Sequence, residues 1–168
     1  MAEAPELLLN RLLVSRTHPT LATAESCTGG TVASRITAHS GSSAYFLGSV
    51  VSYSNGVKHD VLGVPQSVLD ERGAVSPECA RAMASGVRAL IGSDIGVSTT
   101  GIAGPQGGTT RKPVGLVYIG IATPTWLEAF EFHFAGDRAR VIDQAAFQAL
   151  TILLEAANQA VATIQSES

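Results

Sequence analysis

A serine and a cysteine lie at a glycine-containing turn, where chemistry on a bound ligand is possible. Ser26, Cys27, Thr28, Gly29 and Gly30 follow a short apolar segment, and a helical pattern begins after them. A side chain at such a strand-to-helix turn lies beside unpaired helix N–H groups, which can bind an anion or an oxyanion. The glycines let a ligand approach the backbone closely. The turn therefore offers Ser26 as a nucleophile, with a Cys27 thiolate or an ordinary capped turn as alternatives.

Lys58 is the second candidate, because a lysine in the first turn of a helix opposes the helix dipole. It is one of only two lysines in the chain, and it follows Tyr53 and Asn55, the latter being a residue typical of helix caps. A lysine in a buried or positively charged environment has a lowered pKa and can act as a general base. The neighbouring His59 lies on a different helix face, so a relay between them is not expected. The alternative is a solvated surface lysine.

A glycine-rich loop forms the third candidate segment. Thr100 ends an apolar stretch, and residues 101–113 follow it with many glycines. Their first members are Gly101, Ile102, Ala103 and Gly104. Backbone N–H groups in such a loop can form an anion-binding nest. The spacing does not match G-x-G-x-x-G before a helix, which argues against a dinucleotide-binding turn. The alternative is a flexible loop without a ligand.

Two arginines form the fourth candidate. Arg138 and Arg140 fall in the first turn of the last predicted helix, where the helix dipole is already positive. Arginine at this position is favourable when it binds an anion such as a phosphate monoester. The alternative is that Asp137 and nearby acidic residues neutralise the charges of the two arginines.

Composition excludes several classes of protein. The chain has 168 residues, a net charge of −3 and no Lys/Arg-rich run, so a nucleic-acid-binding function is not expected. No apolar stretch approaches the roughly 18–20 residues of a membrane span, and the acidic N-terminus is unlike a signal peptide. Cys27 and Cys79 lack a CxxC partner, and the histidines lack metal-ligand spacing. We therefore expect a cytoplasmic protein without metal or cofactor.

Alternating strand and helix patterns predict the elements that hold these residues. The predicted strands cover residues 21–25, 45–53, 95–100, 114–123 and 126–134. The predicted helices cover residues 6–16, 31–38, 55–62, 65–72, 77–91 and about 24 residues after Asp137. This order predicts one α/β domain over residues 1–168, a three-layer α/β/α fold with a mixed, mostly parallel sheet of five to six strands. The ends, about residues 1–6 and 163–168, are expected to be loose.

Six segments, taken together and in this order, resemble the CinA C-terminal domain family, the nicotinamide-nucleotide amidases. The resemblance covers about residues 7–160. The segments are Ala24-Glu25-Ser26-Cys27-Thr28-Gly29-Gly30, Tyr53-Ser54-Asn55 with Lys58, Gly73-Ala74-Val75-Ser76, Gly101-Ile102-Ala103-Gly104-Pro105, Lys112-Pro113-Val114-Gly115 and Gly136-Asp137-Arg138. The resemblance implies a three-layer α/β/α fold and hydrolysis of the carboxamide of nicotinamide mononucleotide (NMN), giving nicotinate mononucleotide and ammonia without a metal.

The resemblance also implies roles for matching residues. Ser26 would be the nucleophile and Lys58 the general base, while Tyr53 and Thr100 would assist in proton handling and positioning. Arg138 would bind the substrate phosphate or order the site. The residues expected to contact the substrate are Thr28, Gly29, Gly30, Asn55, Gly101, Ile102, Ala103, Gly104 and Arg138. To act as a base near neutral pH, Lys58 needs a pKa near 7–8, well below the reference value of about 10.4.

The sequence departs from the family at two positions in the glycine-rich loop. Gln106 replaces a common aspartate, and Arg111 lies where family members are often acidic. Activities of the molybdopterin-binding-like domain found in longer relatives are not expected here. The expected partner is the small-molecule substrate NMN, with no nucleic acid or membrane, and the chain is expected to form a homo-oligomer. A catalytically silent nucleotide-binding module that uses the same loops is the alternative function.

Overall fold

A computed structural model describes residues 3–168 of the chain. Its strands are β1 Leu21–Glu25, β2 Phe46–Val51, β3 Ile95–Gly101, β4 Leu116–Ala122 and β5 Leu127–His133. Its α-helices are α1 Pro5–Leu13, α2 Thr31–Thr37, α3 Asn55–Asp60, α4 Gln66–Glu71, α5 Pro77–Ile91 and α6 Arg138–Ser166, with a short 3-10 helix at Ser42–Ala44. None of the helices in residues 3–168 is long and apolar enough to cross a membrane.

The five strands form one mixed sheet in the order β2-β1-β3-β4-β5. β1 pairs in parallel with β2 and β3, whereas β3–β4 and β4–β5 are antiparallel. The predicted mixed α/β sheet is confirmed at five strands. Two of its four strand pairings are parallel and two are antiparallel, rather than mostly parallel, because β4 runs opposite to the other four strands.

Helices cover both faces of the sheet, which confirms the three-layer prediction. Successive side chains of a strand point to opposite faces, and β1 shows this clearly. Leu21 packs in the larger core cluster with α1 and α6, for example against Leu9 and Leu153. Ala22 packs on the other face with Met83 of α5. The sheet is therefore held between α5 on one side and α1, α2 and α6 on the other.

Helices extend close to both ends of the described chain. α6 has 29 residues rather than about 24, and it continues through residues 163–166. At the other end, Pro5 and Glu6 already belong to α1 and are buried, while residues 1–2 lie outside the described residues. The added residues 162–166 are exposed and continue a helix that is already formed, in which each further residue gains one backbone hydrogen bond.

Local start and stop signals mark several of the helix boundaries. The Ser76 and Asp137 side chains cap α5 and α6 by accepting hydrogen bonds from the N–H groups of Cys79 and Arg140. α3 differs from the prediction, since Ser54 rather than Asn55 is its capping residue. The predicted strand 45–53 is also too long. It ends at Val51, and the next residues leave the sheet toward α3.

The carboxyl ends of β1, β2 and β3 meet at one edge of the sheet, because these strands are parallel neighbours. Glu25 pairs with Val51 on one side and with Thr99 on the other. The segments that follow these strands therefore emerge side by side. Crevices of this kind are the usual ligand sites of open α/β sheets.

Candidate active site

The side chains of Ser26 and Lys58 meet at this edge of the sheet. Lys58 Nζ lies 3.0 Å from Ser26 Oγ. Both groups are shielded from solvent, with 9% of Ser26 and 1% of Lys58 exposed. The two residues are 32 positions apart in the chain, so their contact depends on the parallel pairing of β1 and β2.

Two backbone carbonyl groups complete the surroundings of the lysine amine. Lys58 Nζ donates to the carbonyl oxygens of Ser52 at 2.8 Å and Tyr53 at 3.2 Å. α3 sets this geometry, because the Ser54 side chain caps its first turn four residues before Lys58. Burial lowers the pKa of Lys58 below its usual range, although the nearby thiols of Cys79 and Cys27 oppose this shift. The neutral amine is therefore favoured more than in an exposed lysine.

A buried carboxylate that the sequence analysis did not single out anchors the Ser26 turn. Glu25 is fully buried and accepts hydrogen bonds from the N–H groups of Val32 at 2.8 Å and Ala33 at 3.0 Å, in the first turn of α2. A carboxylate at a helix N-terminus satisfies donors that lack intrahelical partners. One sequence signal could have pointed to Glu25. It is an acidic residue shortly before a helix whose N-cap position, Gly30, has no side chain to cap it.

The three residues of the Ser26 turn that were predicted to contact substrate lie outside the cavity beside Ser26. The Thr28 hydroxyl is 2.6 Å from a Glu25 carboxylate oxygen and 2.7 Å from the Thr99 hydroxyl, inside the protein. Gly29 and Gly30 have φ angles of 57° and 103°, in the left-handed region that favours glycine. None of the three lines the cavity beside Ser26. They shape the turn that holds the serine, and their contact with substrate stays a prediction.

A cavity of about 290 Å³ opens beside the Ser26–Lys58 pair. The candidates from the sequence that line it are Ser26, Cys27, Tyr53, Asn55, Lys58, Thr100, Gly101, Ile102, Ala103, Gly104 and Arg138. The lining residues that were not chosen as candidates are Ala74, Val75, Gln106 and Gly107. No Asp or Glu is among these residues, whereas Lys58 and Arg138 are basic.

Thr100 lines the cavity but directs its hydroxyl elsewhere. Its Oγ1 donates to the carbonyl oxygen of Ala74 at 2.7 Å and is almost fully buried. The hydroxyl proton is therefore engaged outside the Ser26–Lys58 pair. This hydrogen bond joins β3 to the α4–α5 segment at one wall of the cavity, and the role predicted for Thr100 in proton handling and positioning stays a prediction.

Arg138 bridges the mouth of the cavity. Its Nη2 donates to the Tyr53 hydroxyl at 3.0 Å, and its Nη1 donates to the Gly104 carbonyl at 2.8 Å. The Tyr53 side chain is largely exposed, at 63%. Arg140 does not line the cavity. Of these two arginines, Arg138 alone therefore lies where an anion in the cavity could reach a guanidinium.

The two thiols near the site are poor candidates for nucleophiles. Burial raises the pKa of Cys27 to about 12, and the hydrogen bond from Thr99 and the nearby Lys58 only partly oppose this. Burial likewise raises the pKa of Cys79 to about 11. Because the thiolate is the reactive form, these shifts weigh against the Cys27 alternative.

Other parts of the surface offer no comparable chemistry. A larger cavity, about 390 Å³, lies between Asp94 and the end of α6, and none of the candidate residues lines it. Within residues 3–168, no three His, Cys, Asp or Glu side chains converge as a set of metal ligands. The cavity beside Ser26 therefore remains the candidate active site, although it is the smaller of the two.

Known proteins of related sequence share this domain. The CinA C-terminal domain model matches residues 4–157. A CinA-like protein of Geobacter metallireducens is 55% identical over 129 residues, which are 77% of this chain and 31% of that protein. A CinA-like protein of Geotalea daltonii is 52% identical over 141 residues, or 84% of this chain and 34% of that protein. The chain spans about a third of the length of these curated relatives.

Solved structures share the fold over nearly the whole chain. The competence damage-inducible protein A of Klebsiella pneumoniae superimposes with a TM-score of 0.85 at 36% identity, covering 90% of this chain and 93% of that one. A CinA superfamily protein of Escherichia coli has a TM-score of 0.84 at 32% identity, covering 92% of each chain. The sequence match, the shared fold and the resemblance of six segments agree: this chain belongs to the CinA C-terminal domain family.

Proposed function

We propose that this protein hydrolyses the carboxamide of NMN to nicotinate mononucleotide and ammonia, with Ser26 as nucleophile and Lys58 as general base. One observation carries this proposal, namely the buried 3.0 Å contact between Lys58 Nζ and Ser26 Oγ. A nucleophile and a base within hydrogen-bond reach are what acyl transfer by a serine requires. Membership of the CinA family supports the choice of substrate.

The two carbonyl groups around Lys58 aim the amine at the serine. A neutral lysine amine has two N–H donors and one lone pair. The carbonyl oxygens of Ser52 and Tyr53 can only accept hydrogen bonds, so both N–H groups point toward them. The lone pair is left facing Ser26 Oγ, where it can accept the hydroxyl proton. The lowered pKa of Lys58 favours this neutral form.

The reaction follows from this arrangement. Ser26 Oγ forms a bond to the carboxamide carbon while its proton moves to Lys58 Nζ. The tetrahedral intermediate then collapses as Lys58 returns the proton to the departing nitrogen, which leaves as ammonia. Water then attacks the acyl-enzyme and gives a proton to Lys58. Lys58 returns this proton to Ser26 Oγ as the acyl–oxygen bond breaks, which releases nicotinate mononucleotide and restores the free enzyme. Backbone N–H groups of the Ser26 turn and of the segment at Ala103 and Gly104 are the expected oxyanion donors, each typically worth about 2.7–4 kcal/mol.

The charge of the cavity supports a phosphate-bearing substrate. Arg138 and Lys58 are the Arg and Lys residues among the described residues that line it, and burial lowers the pKa of Lys58, which weakens its positive charge relative to an exposed lysine. Arg138 therefore supplies the positive charge at the mouth. A guanidinium binds phosphate through paired, charge-assisted hydrogen bonds. Its present acceptors, the Tyr53 hydroxyl and the Gly104 carbonyl, hold it in place for such a ligand.

Replacing Arg138 by glutamine is expected to raise the KM for NMN by about 10- to 100-fold, the equivalent of one or two charged hydrogen bonds. Hydrolysis of nicotinamide riboside, which lacks the phosphate, should change far less. Arg140→Gln is the matched control, because Arg140 lies two residues further along the same helix but outside the cavity. Equal effects on the nucleotide and the riboside, or equal effects of the two variants, would contradict phosphate binding by Arg138.

An ammonia-release assay on the purified protein tests the proposed function. NMN should give ammonia and nicotinate mononucleotide in equal amounts, whereas free nicotinamide should react poorly because it cannot engage Arg138. Calorimetry with NMN on the same sample separates the alternative. Saturable binding without any turnover would identify a silent nucleotide-binding module and reject the amidase.

A further inference from the structure

We propose that Lys112, the second lysine of the chain, is a positioning residue that joins the two walls of the active-site cavity and so sets its width. The inference rests on the proposed amidase function and goes beyond it, because Lys112 does not line the cavity. One wall is the glycine-rich loop, which the structure bounds at residues 102–115 between β3 and β4. The other is the α4–α5 segment, residues 72–76.

Lys112 reaches from the loop to the opposite wall. Its Nζ donates to the carbonyl oxygen of Arg72 at 2.6 Å. Arg72 is the C-terminal cap residue of α4, and a cation at a helix C-terminus is favourable because the last carbonyl groups lack intrahelical partners. Ala74 and Val75, which line the cavity, follow directly. The contact therefore holds the α4–α5 segment two to three residues before the positions that line the cavity.

The loop that carries Lys112 is closed on itself. At its base, Ile102 N–H donates to Leu116 and Gly115 N–H donates to Ile102. At its tip, Thr109 N–H donates to the Lys112 carbonyl, and Lys112 N–H donates to the Thr109 hydroxyl. Between these closures, every residue of the range 102–107 except Pro105 lines the cavity. A displacement at Lys112 is therefore transmitted to the ligand-facing part of the loop.

The α4–α5 segment makes other hydrogen bonds, but these lie within the segment or join it to β3. The Ser76 hydroxyl donates to the Gly73 carbonyl at 2.8 Å, and Thr100 of β3 donates to Ala74. Among the described residues, the Lys112–Arg72 contact is the one hydrogen bond that joins this segment to the glycine-rich loop. A Cβ atom at Gly73 would lie 3.0 Å from Lys112 Nζ. The absence of a side chain at Gly73 therefore leaves room for the Lys112 amine.

The chain offers a matched set of variants for testing this role. Lys112→Met keeps most of the side-chain stem but removes the donor, whereas Lys112→Arg keeps a cationic donor. Arg111→Met removes the same charge one position earlier, from an exposed residue of the same loop. We expect Lys112→Met to raise the KM for NMN about 5- to 20-fold with kcat changed less than about threefold, since transition-state groups stay in place. Lys112→Arg should recover most of the loss, and Arg111→Met should stay within twofold of wild type.

Hydrogen exchange gives a readout that does not need turnover. In Lys112→Met, amides of residues 102–108 should exchange faster than in the wild type and in Arg111→Met, because local opening becomes easier. If the wild type releases no ammonia from NMN, the proposed function fails while this exchange measurement still tests the wall contact. The inference is overturned if Lys112→Met matches Arg111→Met in loop exchange, or if its loss lies in kcat without a change in KM.

Discussion

Replacing Ser26 by alanine is expected to lower ammonia release from NMN by at least about 1,000-fold, because removal of a catalytic nucleophile abolishes the covalent route. The fold should survive, since the Ser26 contacts that hold the turn are made by its backbone: its N–H donates to Thr99, and its carbonyl accepts from Gly29. The measurement is steady-state ammonia release, with circular dichroism to verify folding and calorimetry to verify that NMN still binds.

Cys27→Ala is the matched control for the serine variant, because Cys27 is the adjacent residue and also lines the cavity. We expect this variant to keep most of the activity, since burial raises the pKa of the Cys27 thiol to about 12 and leaves it protonated. The opposite pattern, an active Ser26→Ala and an inactive Cys27→Ala, would transfer the nucleophile to the thiol. More than about a tenth of wild-type activity in Ser26→Ala would also reject the serine, given the losses expected for a nucleophile.

Replacing Lys58 by methionine should have an effect of similar size, at least about 1,000-fold, because base and nucleophile act as one unit. Lys58→Arg discriminates between a base and a merely structural cation. A guanidinium stays protonated in proteins and cannot accept the Ser26 proton, so the arginine variant should be as inactive as the methionine variant. Recovery of activity in Lys58→Arg would contradict the role of general base.

The pH dependence of the wild type provides an independent test of Lys58. The neutral amine accepts the proton, so kcat/KM should rise with pH through the pKa of Lys58 and fall as the pH drops below it. Burial lowers that pKa, so this limb should lie below the ordinary range of lysine. Because kcat/KM reports groups of the free enzyme, a rate that increases toward acid pH would exclude a lysine base.

Much of the fold was predictable because its signals are local. β1 has the predicted bounds Leu21–Glu25, and α5 begins and ends where Ser76 and Gly92 mark it. These signals act over one or two turns, through caps, strand propensity and backbone conformation. The predictions erred where a boundary carries no such signal. α6 continues through residues 162–166, which are exposed, because each residue added to a formed helix gains one backbone hydrogen bond.

The amino-acid sequence by itself determined the candidate residues Ser26 and Lys58 and the strand ends that carry them. Only the tertiary structure decided which polar groups face the cavity. Thr28 turns inward to Glu25, Thr100 turns to Ala74, and Glu25 anchors the turn from a fully buried position. The physical reason is that a buried polar group must find a hydrogen-bond partner, and that partner lies on another element whose distance along the chain carries no local signal.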